Sequence, residues 1–106
     1  MATATRLERD SVTVDPKHYT VESETDRFRV VRIRYGPREK SAMHQHPPGV
    51  GVFLTDGDFT FRYPDGRVEE IKAKRGEILC FEETWEHNPE SNADAPFEAV
   101  YIEVRS

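Results

Sequence analysis

Two histidines separated by a single residue are the strongest chemical signal in this chain. His44 and His46 lie within residues 42–48, and side chains at positions i and i+2 of an extended strand point to the same face. Neutral imidazole is the commonest protein ligand of zinc, iron, copper and nickel. Two imidazoles held on one stiff strand therefore predict a metal site.

A third histidine follows a second stretch that is typical of a strand. Gly76 precedes the apolar run Ile78–Phe81, and His87 comes shortly after it. Because the far end of that strand could come near the first pair, we expect His87 to be the third ligand. The alternative is a surface strand that carries its histidines without binding a metal. His18, the remaining histidine, is expected to have a structural role.

The spacing around the first pair resembles the first motif of the cupin superfamily. That motif runs from a glycine through five residues to His-x-His, then to a glutamate and a closing glycine. Gly36 lies seven residues ahead of His44 instead of five, and Gly57 stands where the closing glycine belongs if the acidic position is residue 50. Residue 50 is Val50, so we transfer no glutamate from the family to this chain.

The second cupin motif is matched by its glycine and its histidine. Gly76 and His87 have the family spacing. Three other positions differ, because Glu82, Thr84 and Ser91 stand in place of the motif proline, glycine and asparagine. The resemblance covers about residues 30 to 104, and it implies a metal held by His44, His46 and His87.

A site of three imidazoles without a carboxylate has a distinct chemistry. It leaves a divalent ion with its full charge, which makes the ion a stronger Lewis acid, and it leaves coordination positions open. Such a site suits one divalent transition metal, and affinity order alone does not choose among iron, zinc, manganese, nickel and copper. Some similar cupins, the thiol dioxygenases and the β-diketone-cleaving dioxygenases, hold iron by three histidines, so the resemblance favours Fe(II).

The function expected from this resemblance is an Fe(II)-dependent dioxygenase that acts on a small organic substrate with O2. Two alternatives stay open. One is a lyase, isomerase or hydrolase that uses the ion as a Lewis acid, and the other is a binding module without turnover. No residue is singled out as catalytic.

Length and composition limit the class of protein. The 106 residues suit one domain, which we divide into an N-terminal arm with short strands (1–26) and a barrel (27–106). A net charge of −5 gives no reason to expect nucleic acid or an anionic membrane as partner. With one cysteine, no signal-like start and no apolar run of membrane-spanning length, we expect a cytoplasmic protein in which Cys80 is a buried structural thiol.

Short runs of β-favouring residues separated by turn residues predict an all-β chain with almost no helix. Many such strands argue for an antiparallel β-barrel of the jelly-roll kind. Strands are expected at 11–14, 18–22, 27–35, 50–55, 58–63, 68–73, 78–81 and 97–104, the last in a central position because it is apolar on both faces. We further expect a β-bulge at Val30-Val31 and a hairpin at Asp56-Gly57.

The remaining expectations concern the pocket and the assembly. An apolar pocket around the metal is predicted to include Val50, Phe59, Phe61, Phe81, Trp85 and Tyr101. One arginine of the series 27, 29, 32 and 34, turned inward by the bulge, could receive an anionic substrate. We also expect a homodimer, formed when residues 11–22 add to the sheet of a second subunit.

Overall fold

The computed structural model describes residues 7–105, so the first six residues of the predicted N-terminal arm, and Ser106, lie outside it. Within this range the elements are the short helix α1 and nine strands. Their bounds are α1 Ser11–Val14, β1 Tyr19–Glu24, β2 Phe28–Tyr35, β3 His44–His46, β4 Gly49–Phe53, β5 Gly57–Arg62, β6 Val68–Ala73, β7 Ile78–Phe81, β8 Trp85–Ser91 and β9 Phe97–Val104. None of the helical structure in residues 7–105 is long and apolar enough to cross a membrane.

The strands form two antiparallel sheets. One has the order β1-β2-β9-β4-β7 and the other the order β3-β8-β5-β6. The prediction of an all-β jelly roll with almost no helix is confirmed. The two sheets stay separate among the described strands and do not close into a continuous barrel, so the site lies between two facing layers.

Strand β9 occupies the central position that its two apolar faces predict. It pairs with β2 in an unbroken register from Phe28 opposite Val104 to Tyr35 opposite Phe97. The expected bulge at Val30-Val31 is therefore wrong. The irregularity lies in β1 instead, between Val21 and Ser23. Alternation along β2 consequently points Arg29, Val31, Ile33 and Tyr35 to one face.

Residues 11–14 form one helical turn and not the expected strand. The amide of Val14 donates to the carbonyl of Asp10, and the amide of Asp15 donates to the carbonyl of Ser11. The side chain of Asp10 is held by Arg29 from inside the fold, and its backbone pairs with Gln45 of β3. These contacts hold the start of the segment against the sheets, and the chain turns before it extends as β1.

The Asp56-Gly57 pair does not form the expected hairpin. β4 pairs with β7 and β9, whereas β5 pairs with β6 and β8, so the chain crosses from one sheet to the other at this point. Gly57 is needed for close packing, because a Cβ placed there would lie 2.6 Å from Cε1 of Phe97. The hairpin at Pro64-Asp65-Gly66 does form between β5 and β6, with Gly66 at φ +89°.

The core fills the space between the inner faces of the sheets. Its buried members are Tyr19, Val31, Tyr35, Phe53, Phe59, Ala73, Phe97 and Ala99. Cys80 is not among them. It stands opposite Val50 in the β4–β7 ladder and is exposed, so the expectation of a buried thiol is wrong. Alternation explains the error, since the neighbours Leu79 and Phe81 take the inward positions.

The close approach at Gly57 generates a prediction for stability. In Gly57→Ala the added methyl group would press on Phe97, which is packed against Phe53 and Phe59 and has little room to move. We expect the free energy of unfolding to fall by about 1–3 kcal/mol in urea denaturation.

Gly51→Ala is the matched control for this prediction. The nearest atom to its added methyl group is Cδ1 of Tyr101 at 3.7 Å, an ordinary contact. Its stability should stay within about 1 kcal/mol of the wild type. Equal stability of the two variants would show that the sheets do not pack this closely at Gly57.

Candidate metal centre

Strand pairing brings the three histidines of the predicted site together. β3 and β8 are neighbours, with His44 opposite His87 and His46 opposite Trp85. His44 and His46 point inward from alternate positions of β3, as their spacing predicts. All three imidazoles are buried, with residue exposures of 0, 3 and 3%.

The Nε2 atoms of the three rings converge. The distance between those of His44 and His46 is 3.0 Å, and that between those of His46 and His87 is 3.1 Å. One ligand atom from each residue lies within 4.8 Å of the others. Two nitrogens bound at right angles, each about 2.1 Å from a metal, would be about 3.0 Å apart. The three rings therefore fit a divalent transition metal.

A hydrogen-bond chain sets the ring orientation of His44. Its Nδ1 lies 2.8 Å from the carbonyl of Ala42 and 3.2 Å from Oγ of Ser41, and Ser41 in turn donates to Asp15 at 2.5 Å. Because the hydroxyl hydrogen of Ser41 is engaged by Asp15, Nδ1 of His44 must be the donor in both of its contacts. That tautomer leaves the lone pair of Nε2 free for a metal.

Burial keeps the imidazoles uncharged. Desolvation lowers the pKa of His44, and it lowers the pKa values of His46 and His87 well below the usual histidine range. Repulsion from neighbouring imidazoles adds to the effect at His46 and His87, and the charge of Arg29 adds to it at His46. Because a metal binds only the neutral ring, these shifts prepare the site for coordination at neutral pH.

A buried ion cluster, not identified from the sequence, lies next to this site. The guanidinium of Arg29 donates to both oxygens of Glu103, at 2.6 and 2.9 Å, and to Asp10 at 2.5 Å. Burial by itself would lower the pKa of Arg29, but the hydrogen bonds to the two carboxylates reverse this and raise it. Burial also raises the pKa of Glu103.

This cluster corrects the expectation about the arginines. Arg29 does turn inward, through plain alternation in β2 and without a bulge. Its Nε and Nη2 groups donate to Asp10 and Glu103, so its charge is already balanced by two carboxylates of the same chain. The signal was available in the sequence, since Arg29 has the same parity as Val31 and Ile33, and Glu103 the same parity as Tyr101.

The fourth histidine lies outside the metal cluster. Nδ1 of His18 is 2.6 Å from Asp15, and its Nε2 is 3.0 Å from Glu39. Its ring stacks on Tyr35 with centroids 4.2 Å apart. Since Asp15 also accepts from Ser41, His18 supports the loop that leads to His44.

An apolar cavity of about 70 Å³ adjoins the imidazoles. Of the predicted pocket residues, Phe59, Phe61, Phe81, Trp85 and Tyr101 line it. Aromatic residues that the sequence did not single out complete the wall, namely Tyr19, Tyr35, Phe53 and Phe97. Among the wall residues, the hydroxyls of Tyr19 and Tyr35 are 2.6 Å apart, and Trp85 donates to the hydroxyl of Tyr101. Nδ1 of His46 and Nδ1 of His87 are buried without a hydrogen-bond partner in the described part of the chain.

Val50, the remaining predicted pocket residue, does not line the cavity. It stands opposite Cys80 and Ile102, on the outer face of the five-stranded sheet. Its neighbours Gly49 and Gly51 occupy the inward positions of β4 and have no side chain to offer. Because side chains alternate along a strand, Val50 points to the face opposite that of Gly49 and Gly51, so a carboxylate at residue 50 would point away from the imidazoles.

The lowered histidine pKa values predict how the stability of the metal-free protein depends on pH. In the unfolded chain histidine has a pKa of about 6.5, so as the pH falls the unfolded state takes up protons before the folded state does. The free energy of unfolding should be fully present above about pH 6.5. It should then decrease with falling pH until the folded-state pKa values are reached, by up to about 1.4 kcal/mol per pH unit for each imidazole.

Urea denaturation at pH 7.5, 6.5, 6.0 and 5.5 measures this slope. The variant His46→Gln/His87→Gln is the control, because it lacks the two most strongly shifted rings and should lose most of the slope. A wild-type slope no steeper than that of the control would contradict the shifts at these rings.

Similar proteins were found by comparison of structures and not by comparison of sequences. No protein-family model and no curated protein matches the sequence. A cupin domain from Bordetella pertussis Tohama I is similar in structure, with a TM-score of 0.77 and 28% sequence identity over 83% of this chain and 92% of its own. A conserved protein with a double-stranded β-helix domain from Klebsiella pneumoniae gives a TM-score of 0.66 with 22% identity, over 84% of this chain and 78% of its own.

A third similar structure is that of an enzyme. It is a sugar phosphate isomerase of the cupin superfamily from Silicibacter pomeroyi, with a TM-score of 0.51 and 21% identity over 76% of this chain and 52% of its own. These likenesses confirm the predicted resemblance to cupins, and the three clustered histidines of this chain agree with it. The chain is thus a small cupin-fold protein with three histidines gathered inside it.

Proposed function

We propose that this protein is a metal-dependent dioxygenase that acts on a small organic substrate with O2. Its metal is a divalent transition ion, Fe(II) in preference to zinc, manganese, nickel or copper, held by His44, His46 and His87. The observation that carries the proposal is the convergence of three neutral, buried Nε2 atoms beside an apolar cavity.

Iron(II) in such a site supplies open coordination positions and the one-electron chemistry that lets O2 react with an organic molecule. The protein provides the surroundings for that reaction. Phe59, Phe61 and Trp85 exclude water from the side of the cavity next to His87. Exclusion of water strengthens electrostatic interactions inside the site and protects reactive species from hydrolysis.

The lining of the cavity indicates the kind of substrate. No charged side chain is among the lining residues within the described chain, and the nearby Arg29 is engaged by its two carboxylates. An anionic group remote from the metal would therefore be buried without a partner, which is costly. We infer a small, mainly apolar substrate whose polar atoms chelate the metal, such as a β-dicarbonyl, a thiol or a catechol-like compound.

A second candidate is a metal-assisted isomerase, lyase or hydrolase. It is favoured by the similar structure described as a sugar phosphate isomerase. The cavity argues against a phosphate-bearing substrate, since recognition of phosphate calls for arginine or lysine donors and the lining contains neither. A neutral carbonyl substrate remains compatible with this second candidate.

Metal retention should depend on the complete set of imidazoles. His87→Ala leaves two ligands, so we expect the affinity for iron(II) or zinc(II), measured by equilibrium dialysis, to fall by more than about 100-fold. Loss of an outer partner alone costs 10 to 100-fold. Glu86→Ala is the control, because Glu86 is next in sequence and pairs with Arg9 on the opposite side of β8. One full equivalent of metal in folded His87→Ala would exclude His87 as a ligand.

The reaction is tested by oxygen consumption. The tag-free iron(II) form should consume O2 in an oxygen electrode with at least one compound among β-dicarbonyls, thiols and catechols, and replacement of iron by zinc should stop this. If the iron(II) form consumes no O2 and the zinc form converts a neutral carbonyl compound under nitrogen, the dioxygenase proposal is wrong. The Lewis-acid candidate would then take its place. Absence of turnover with either metal would leave a binding module.

A further inference from the structure

Gly51 lies in the middle of β4, at a position where the backbone does not require glycine. Its φ is not positive, unlike those of Gly66 and Gly76. Apart from its chain neighbours, a Cβ added to Gly51 would have two atoms within 4 Å, namely Cδ1 of Tyr101 at 3.7 Å and the carbonyl oxygen of Leu79 at 3.8 Å. Both are ordinary contacts, so a small side chain could stand here without a clash.

Gly49, two residues earlier on the same face of β4, is the opposite case. A Cβ placed there would lie 2.3 Å from the carbonyl oxygen of Ile102 and 3.0 Å from Cζ of Tyr101. The chain packs too closely at Gly49 for any side chain. Close packing therefore explains Gly49 and leaves Gly51 without a structural reason.

Glycine inside a strand has a cost for stability. It loses more conformational freedom on folding than any other residue, and it has no side chain to pack. Where such a glycine occurs, it often marks a place that another backbone segment or a ligand approaches closely. Since no backbone atom crowds the Cβ position of Gly51, a ligand is the remaining explanation.

The empty space over Gly51 belongs to the cavity beside the imidazoles. Gly51, Leu79 and Tyr101 line this cavity together with His46 and His87. Tyr101 connects the two regions, because its ring centroid is 5.3 Å from that of His46 and its Cδ1 lies against the Cβ position of Gly51. A molecule bound at the metal through its polar atoms can therefore extend along the Tyr101 ring to Gly51.

The size and polarity of this space limit what can occupy it. The hydroxyl of Tyr101 donates to the carbonyl of Pro47 and accepts from Trp85, so its hydrogen is not available to a ligand. The whole cavity has a volume of about 70 Å³. A water molecule in the liquid takes about 30 Å³. The space therefore suits a short apolar group and excludes a long or branched one.

We propose that Gly51 determines the size of the substrate. The polar atoms of the substrate lie at the metal, and a short apolar group, such as the terminal methyl group of a β-dicarbonyl compound, lies over Gly51 between Tyr101 and Leu79. This inference rests on the proposed function, because it takes the metal as the anchor of the substrate. The space itself does not depend on the metal, so the two can fail separately.

Xenon tests the space in the metal-free protein, because it enters apolar cavities that contain no water. Crystals under xenon pressure should show the gas between Tyr101 and Gly51 in the wild type, and none at that place in Gly51→Val. Val50→Ile is the matched control, since it adds a methyl group on the opposite face of β4 and should keep the xenon. Absence of xenon from the wild type, or its presence at this place in Gly51→Val, would overturn the proposal.

Binding of 2,4-pentanedione to the zinc form, measured by calorimetry, tests the use of the space without turnover, because zinc has no redox chemistry. Gly51→Ala should weaken binding of the compound by about 10-fold, and Gly51→Val by more. The affinity for zinc in both variants, and the affinity of Val50→Ile for the compound, should be unchanged. If Gly51→Val does not fold, Gly51→Ala decides.

Two results of this titration would overturn the proposal. One is a wild-type zinc form that does not bind 2,4-pentanedione, and the other is equal affinity for the compound in the wild type and the folded Gly51 variants. A wild type that retains no metal would contradict the proposed function instead, and the xenon experiment would still decide whether Gly51 keeps the space open.

Discussion

The pairing of β3 with β8 is the interaction on which the candidate site depends. β3 has only three residues, and its register sets His44 directly opposite His87. A shift by one residue would turn His44 and His46 to the outer face and leave His87 alone inside. The backbone of Gln45 is also held from outside, by a hydrogen bond to Arg9 and by the bridge to Asp10. The segment before α1 thus fixes the shortest strand of the fold.

Two polar systems surround an otherwise apolar interior, and each has a separate task. Arg29, Asp10 and Glu103 join the N-terminal segment to β2 and β9 through charge-assisted hydrogen bonds. Removal of one partner would leave an uncompensated buried charge, which is strongly destabilising. Ser41 and Asp15 instead orient the ring of His44. The cavity between these systems is left without a free charge, and this limits the substrates that it can accept.

Glycine positions show how one residue type serves different physical needs in this fold. Gly66 and Gly76 have φ values of +89° and +86°, and both lie in turns where a side chain would be strained. Asp-Gly is a common hairpin dipeptide. In this fold, however, Gly57 allows the chain to pass close to Phe97 between the sheets. The dipeptide indicates a reversal of direction. It does not indicate which strands will pair on either side of it.

Local patterns in the sequence determined the all-β class, most strand positions, the central place of β9 and the shared face of His44 and His46, because each follows from the side-chain period of a strand and from turn chemistry. Tertiary structure decided what no local pattern contains. The division of strands between two sheets turned the Asp56-Gly57 hairpin into a crossing. Pairing partners set the outward direction of Val50 and Cys80. The partnership of Arg29 with Asp10 and Glu103 joins residues up to 74 positions apart, and only the folded chain brings them within hydrogen-bond distance.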